Sequence, residues 1–152
     1  MTENTIKDMS NLQDHPLVQA YIRLNNFGNL LGMDFKIESA GRVVYSMKIE
    51  TKHLATPMAS HGGAIAAMMD AALGVAALSA VCESDKVVST LEMSVRFIAP
   101  AKPGDELTAN ATVLSRGNRI LVVQAEIYNQ DQKLVALGNG TFNAYPKEKA
   151  GF

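Results

Sequence analysis

One stretch constrains the fold of this chain more than any other. Residues 62–82 are alanine, methionine, leucine, valine, isoleucine and glycine almost throughout, and Asp70 is the only charged side chain among them. Apolar residues occupy every face at helical spacing. A helix of this kind must be surrounded by the rest of the protein and not merely laid against it. Its central carboxylate costs several kcal/mol if it is buried without partners. Burial and isolation raise the basicity of a carboxylate, so one kept in such a place is a candidate for chemistry.

The rest of the chain bounds what surrounds that helix. Its 152 residues suit one domain, able to bury roughly two-thirds of the unfolded surface. Fourteen basic and fifteen acidic residues give a net charge of −1, which argues against a nucleic-acid binder working by bulk charge. A single cysteine, Cys82, leaves no intrachain disulfide framework and suits a reducing compartment. Residues 62–82 approach the length of a membrane span. Their alanine content, the central aspartate and the amphipathic strand patterns that follow favour a core helix instead. Residues 1–13 are polar and of mixed charge, without the apolar core of a signal peptide. The expectation is a soluble cytoplasmic protein with a flexible tail over residues 1–13 and one domain over residues 14–152.

Periodicity supplies the elements. Asp14 as cap and Pro16 as first-turn residue open a helix, and Leu17, Tyr21, Leu24, Phe27 and Leu31 give it one apolar face up to Gly32. The period then becomes two. Met33, Phe35 and Ile37 alternate with Asp34, Lys36 and Glu38, and after the turn at residues 39–42, Val43, Tyr45, Met47 and Ile49 alternate with Val44, Ser46, Lys48 and Glu50. Residues 51–60 read as a loop. After the long helix, Val87, Ser89, Leu91, Met93, Val95 and Phe97 share one strand face, and Val88, Thr90, Glu92, Ser94 and Arg96 the other. Three more strands follow, over residues 107–113, 120–128 and 133–145. One-sided strands predict an antiparallel sheet with one apolar face. The chain is therefore expected to be α+β, with a curved antiparallel sheet wrapped around the long central helix and another helix before it. The small residues Ala66, Ala67, Ala71, Gly74 and Ala77 on that helix would admit a second chain, so a homo-oligomer is expected.

Chemistry concentrates at two points on the helix. His61-Gly62-Gly63 stands at its start, where free N–H groups and the helix dipole stabilise a developing oxyanion. The plain alternative is a turn and nothing more. Asp70 is the candidate base, and the plain alternative is a structural carboxylate. Thr90, Glu92, Ser94 and Arg96 line one polar strand face, which is either a solvated sheet face or brings Thr90 to the site beside Asp70. His61 and Asp70 are nine residues apart, about 900° or half a turn out of phase, so one helix cannot bring them together. If both serve one site, they come from different subunits. His15, His53 and His61 match no metal-ligand spacing, and no metal or cofactor is expected. No G-x-S-x-G, G-x-G-x-x-G or P-loop occurs. Arg96, Lys102, Arg116 and Arg119 are candidates to meet a phosphorylated ligand, or are ordinary surface charge.

These residues resemble a known family. Residues 27–33, Gly41-Arg42-Val43-Val44, the run from His53-Leu54 to His61-Gly62-Gly63, Asp70 and Ala99-Pro100-Ala101-Lys102-Pro103-Gly104-Asp105 look like a hotdog-fold thioesterase, nearest the phenylacetate-pathway (PaaI-like) acyl-CoA thioesterases. The resemblance covers about residues 20–145. It implies a sheet wrapped around a helix, sites at dimer interfaces, and often a homotetramer of two dimers. It also implies site roles: catalytic work for Asp70, Gly62, Thr90 and His61, and substrate binding for Gly63, Ser60, Arg96 and Arg116. The Gly62 N–H would polarise the thioester carbonyl, Asp70 of the facing subunit would be base or nucleophile, and Thr90 would assist. Many relatives carry an asparagine where this chain has Ala55, and in them it helps hold water or substrate. The expected activity is hydrolysis of acyl-CoA to carboxylate and CoA. The alternatives are a non-catalytic acyl-CoA binding protein and a hotdog dehydratase or hydratase.

Overall fold

The structure is a computed structural model and describes residues 11–152. The tail expected over residues 1–13 therefore lies mostly outside the described residues. Its last positions are placed, and they belong to the fold. A 3-10 turn at Leu12–Asp14 sets Gln13 against the first strand, where Gln13 Oε1 accepts from Ile37 N at 2.9 Å and Nε2 donates to Phe35 O at 3.4 Å.

Two short helices follow, α1 (Pro16–Leu24) and α2 (Asn26–Leu31), then strands β1 (Met33–Ser39) and β2 (Arg42–Lys48). A small hairpin, β3 (Leu54–Thr56) with β4 (Ala59–Ser60), occupies the expected loop and leads to α3 (Gly62–Val81). The chain ends on β5 (Lys86–Phe97), β6 (Glu106–Arg116), β7 (Ile120–Tyr128), β8 (Leu134–Pro146) and a 3-10 turn at Lys147–Ala150. Six strands make one antiparallel sheet in the order β1-β2-β6-β7-β8-β5, and α3 touches all of them. This is the α+β architecture expected, a helix enclosed by a sheet.

The enclosure explains why α3 is apolar all round. Met68, Met69, Ala72, Leu73, Ala76 and Ala77 are fully buried against the sheet. Contact is close because β8 carries Gly138 and Gly140 under the helix. A Cβ at Gly138 would stand 3.2 Å from Met69 Sδ, and one at Gly140 3.3 Å from Leu73 Cδ1. The helix passes the length and hydropathy test for a membrane span, yet 72% of that window is buried inside the protein. Beyond its first turn, only Ala66, Ala67, Asp70, Ala71 and Gly74 stay half-exposed. One stripe of small residues and one carboxylate is what the sheet leaves uncovered.

Three expectations need correction. The cap of the first helix is His15, whose Nδ1 accepts from Leu17 N at 3.2 Å, and not Asp14. That helix is also two. The chain breaks at Asn25, whose side chain caps α2 through Gly28 N at 3.1 Å, and Leu24 and Phe27 turn outward as a result. Gly32 does end α2, in the left-handed conformation at φ 72°. The third correction concerns β5. Its register shifts between Thr90 and Glu92, leaving Leu91 as a bulge. Before the bulge, Val88 and Thr90 pair with the buried Ala144 and Phe142; after it, Met93 and Val95 pair with the buried Gly140 and Gly138. Thr90 thus faces the helix, while Glu92, Ser94 and Arg96 face away.

Candidate active site

The loop before α3 is fixed by His53, which is 2% exposed. Its Nδ1 accepts from Glu50 N at 2.9 Å, its Nε2 bonds Leu31 O at 2.8 Å, and its carbonyl accepts from His61 N at 2.7 Å. Ser60 adds to the same knot, its hydroxyl donating to His53 O at 3.2 Å. The loop therefore delivers α3 with a defined first turn. There His61 Nδ1 accepts from Gly63 N at 2.8 Å, and Ala64 N donates to His61 O at 3.0 Å. Gly62 N is left with no acceptor among the described residues. It opens onto a surface cleft with Ser60, Ile65, Phe97 and Ile98. One unpaired N–H at the positive end of a 20-residue helix is a donor for a developing oxyanion.

An imidazole that accepts through Nδ1 from a backbone N–H carries its proton on Nε2. All three histidines do so: His15 from Leu17, His53 from Glu50 and His61 from Gly63. Each ring is engaged in holding a backbone N–H. Among the described residues no three His, Cys, Asp or Glu side chains come together in a metal-binding group.

Asp70 lies two turns further along α3, on the half-exposed stripe. Thr90 Oγ1 donates to its Oδ1 at 2.8 Å. The pair stands at a cavity of about 270 Å³, whose walls include Leu17, Val75, Leu78, Val87, Phe142 and Phe152. Tyr21 also lines it, its hydroxyl 3.3 Å from that of Tyr45. Burial raises the Tyr21 phenol above its ordinary pKa; the hydrogen bond with Tyr45 opposes that rise, and the charge of Asp70 adds to it. The cavity is thus an apolar chamber with a carboxylate, a hydroxyl and a protonated phenol on its walls.

The other candidates fall elsewhere. Gly63 and His61 line a third hollow with Phe27, Leu31 and Lys52, so Gly62, His61 and Asp70 do not share a cavity within one chain. Arg96 is exposed on the outer side of β5, and Arg116 is exposed at the end of β6; neither lines a cavity described here. Ala55 is exposed in β3. Cys82 is buried, which raises its thiol pKa. Sequence reasoning missed Phe152, for which no pattern existed, and took Tyr21 only as part of a helix face.

Comparison with known proteins bears on the family to which the chain belongs. Residues 60–136 match the family model for the thioesterase superfamily. The stretch holds Gly62, Asp70 and Thr90. The chain is 32% identical over 117 residues to the acyl-coenzyme A thioesterase PaaI of Escherichia coli, covering 72% of this chain and 76% of that one. It is 27% identical over 128 residues to human acyl-coenzyme A thioesterase 13, covering 82% and 89%. Among solved structures, the E. coli PaaI protein from the phenylacetic acid degradation operon superposes with a TM-score of 0.78 at 28% identity, over 84% of this chain and 89% of that one. A helix enclosed by one antiparallel sheet, a family match across both halves of the candidate site and a relative of this closeness lead to one conclusion: the chain belongs to the thioesterase superfamily, as a PaaI-like hotdog-fold thioester hydrolase.

Proposed function

We propose that the protein hydrolyses acyl-CoA thioesters at a site completed by two chains. The observation that carries this reading is the Thr90–Asp70 hydrogen bond on the wall of an apolar cavity, while the first-turn N–H of α3 that has no acceptor among the described residues, that of Gly62, opens into a different cleft. Thr90 holds Oδ1 of Asp70 and leaves Oδ2 for chemistry. That oxygen takes a proton from water as the water attacks the thioester carbon, or attacks the carbon itself to give an acyl-enzyme anhydride. In either case the carbonyl oxygen becomes negative and is met by Gly62 N–H of the facing chain. Collapse expels CoA thiolate, which takes up a proton; the water route leaves the carboxylate product directly, and on the other route a water then cleaves the anhydride to the carboxylate product and free Asp70. No cofactor enters these steps.

The two edges of the sheet support the pairing of chains. On β1, the free edge is occupied: Gln13 bonds Ile37 N and Phe35 O, and Asp34 Oδ1 accepts from Phe35 N at 2.8 Å. On β5, twelve residues long, the outer backbone groups have no partner among the described residues. Leu91, Phe97 and Ile98 are more than half exposed along it. A long open edge with apolar side chains is a template for another strand. Thr90 lies on it, so a copy docked there stands beside Asp70.

The test is release of free thiol from a panel of acyl-CoAs by the wild-type protein and by Asp70→Asn. Turnover that survives the substitution unchanged overturns the assignment. An unlabelled enzyme oxygen in the product of a single turnover in ¹⁸O-water identifies the anhydride route, with water attacking the Asp70 carboxyl carbon. Ala55, where relatives carry asparagine, favours a second reading, an acyl-CoA binding protein without turnover. Binding of CoA esters with no thiol release across the panel would decide for it.

A further inference from the structure

The cavity beside Asp70 is elongated, and a segment that no motif singled out closes one end of it. Along α3 the wall runs from Asp70 through Ala71 and Gly74 to Leu78, and on β5 it runs back from Thr90 to Val87. Thr90 bonds Asp70, so Val87 lies toward Leu78. Eight residues of helix at about 1.5 Å each give a groove of about 12 Å. β8 delivers Pro146 opposite Lys86, next to Val87. From there the chain turns through Lys147–Ala150, and Ala150 and Phe152 line the cavity away from Asp70. Backbone and side chain both hold this strap: Lys147 N donates to Asp85 O at 3.1 Å, Lys147 Nζ meets Asp85 Oδ1 at 2.8 Å, and Phe152 N donates to Lys147 O at 3.3 Å.

We infer that the groove takes the hydrocarbon chain of the acyl group and that Phe152 sets its length. This inference rests on the acyl-CoA reading above. The reacting carbonyl sits by Asp70, and the chain runs past Gly74 toward Leu78 and Val87. With C–C bonds of about 1.5 Å an extended chain advances about 1.25 Å per carbon, so about 12 Å of groove matches about eight to ten carbons. The preferred substrates are unbranched acyl groups of that intermediate length, the terminal methyl meeting the Phe152 ring. Gly74 lies four residues, about 6 Å, from Asp70 and lacks a side chain where the acyl chain would pass. A Cβ there would meet only Phe142, at 3.5 Å.

Two variants test this in opposite directions. Phe152 is 43% exposed, so Phe152→Ala opens the end without hollowing the core. Gly74→Leu fills the middle. Binding of non-hydrolysable thioether analogues from C4 to C16 is measured by calorimetry, alongside kcat/KM for the matching thioesters. In the wild-type protein, affinity is expected to rise about fourfold per methylene up to about C8–C10 and then to stop rising. Phe152→Ala should move that break by two or more carbons and raise the C12-to-C8 ratio of kcat/KM about tenfold. Gly74→Leu should bring it down to about C4–C5. A flat length profile, or a break that neither variant moves, overturns the inference. Hydrolysis without length dependence would overturn it while leaving the acyl-CoA reading intact. A length-dependent binding profile that shifts in the variants, with no hydrolysis, would support the groove and overturn only the catalytic reading.

Discussion

Asp70 is where sequence and structure speak most directly to each other. A lone charge in an apolar helix predicted a carboxylate put to use, and the structure gives it a hydroxyl partner and an adjacent cavity. The Asp70→Asn variant keeps the shape and the Thr90 contact but cannot take a proton. Turnover should fall by about 10²-fold or more with the melting temperature unchanged. Thr90→Val removes one hydrogen bond to a charged acceptor, and a loss of about tenfold or more in kcat is expected from that energy. His61 illustrates what a motif cannot say. Its place beside two glycines pointed to chemistry, whereas its Nδ1 is committed to capping Gly63. His61→Asn preserves an accepting cap, so most turnover and stability should remain. His61→Ala should cost about 1 kcal/mol of stability. A collapse of kcat in His61→Asn with an unchanged melting temperature would assign the imidazole a direct part instead.

Elements were legible wherever periodicity was sustained and both partners were regular. All six strands of the main sheet were readable, most clearly β1, β5 and β6, where apolar and polar residues alternate. The misreadings share a cause: local hydrogen bonds that carry no hydropathy signal. Asn25 breaks the first helix by bonding Gly28 N, yet Leu24 and Phe27 still fell on the helical period. Leu91 bulges from β5 although nothing in its type forbids regular pairing, and the alternation on either side made two half-faces look like one. That bulge turns Thr90 inward, so the register of the site depended on a feature the pattern concealed. Gln13 is a similar case, a polar residue counted in the tail that shields the β1 edge. Gln13→Ala should lower stability by about 1 kcal/mol for the lost bonds, read as a drop of about 3 °C in melting temperature for a chain of this size. An unchanged melting point would mean that water replaces the side chain without cost.

For the molecule as a whole, the decisive fact is that the pieces of the candidate site do not meet within one chain. Gly62 and Asp70 open to different cavities, with eight residues of one helix, about 12 Å, between them. A two-fold axis beside β5 would exchange the halves, so that each of two sites draws its N–H from one chain and its carboxylate from the other. Mixing two inactive variants tests this. Gly62 is the first residue of α3, and His61 before it has φ −64° and ψ 135°. Proline is tolerated at a first helical position, and it asks for an extended residue before it. Gly62→Pro therefore deletes the N–H with little demand on the backbone. In a heterodimer of Gly62→Pro with Asp70→Asn, one site carries both defects and the other carries none. Random reassortment makes about half the dimers mixed, so about a quarter of the wild-type sites should return if the assembly is two-fold. Sedimentation should show at least a dimer for the wild-type protein and both variants. Unmixed variants that stay inactive, followed by recovery toward a quarter of wild-type activity after unfolding and refolding together, would establish the shared site. Recovery of nothing, with mixed dimers demonstrated by mass, would place Gly62 and Asp70 outside a common reaction and leave the Asp70–Thr90 cavity to act alone.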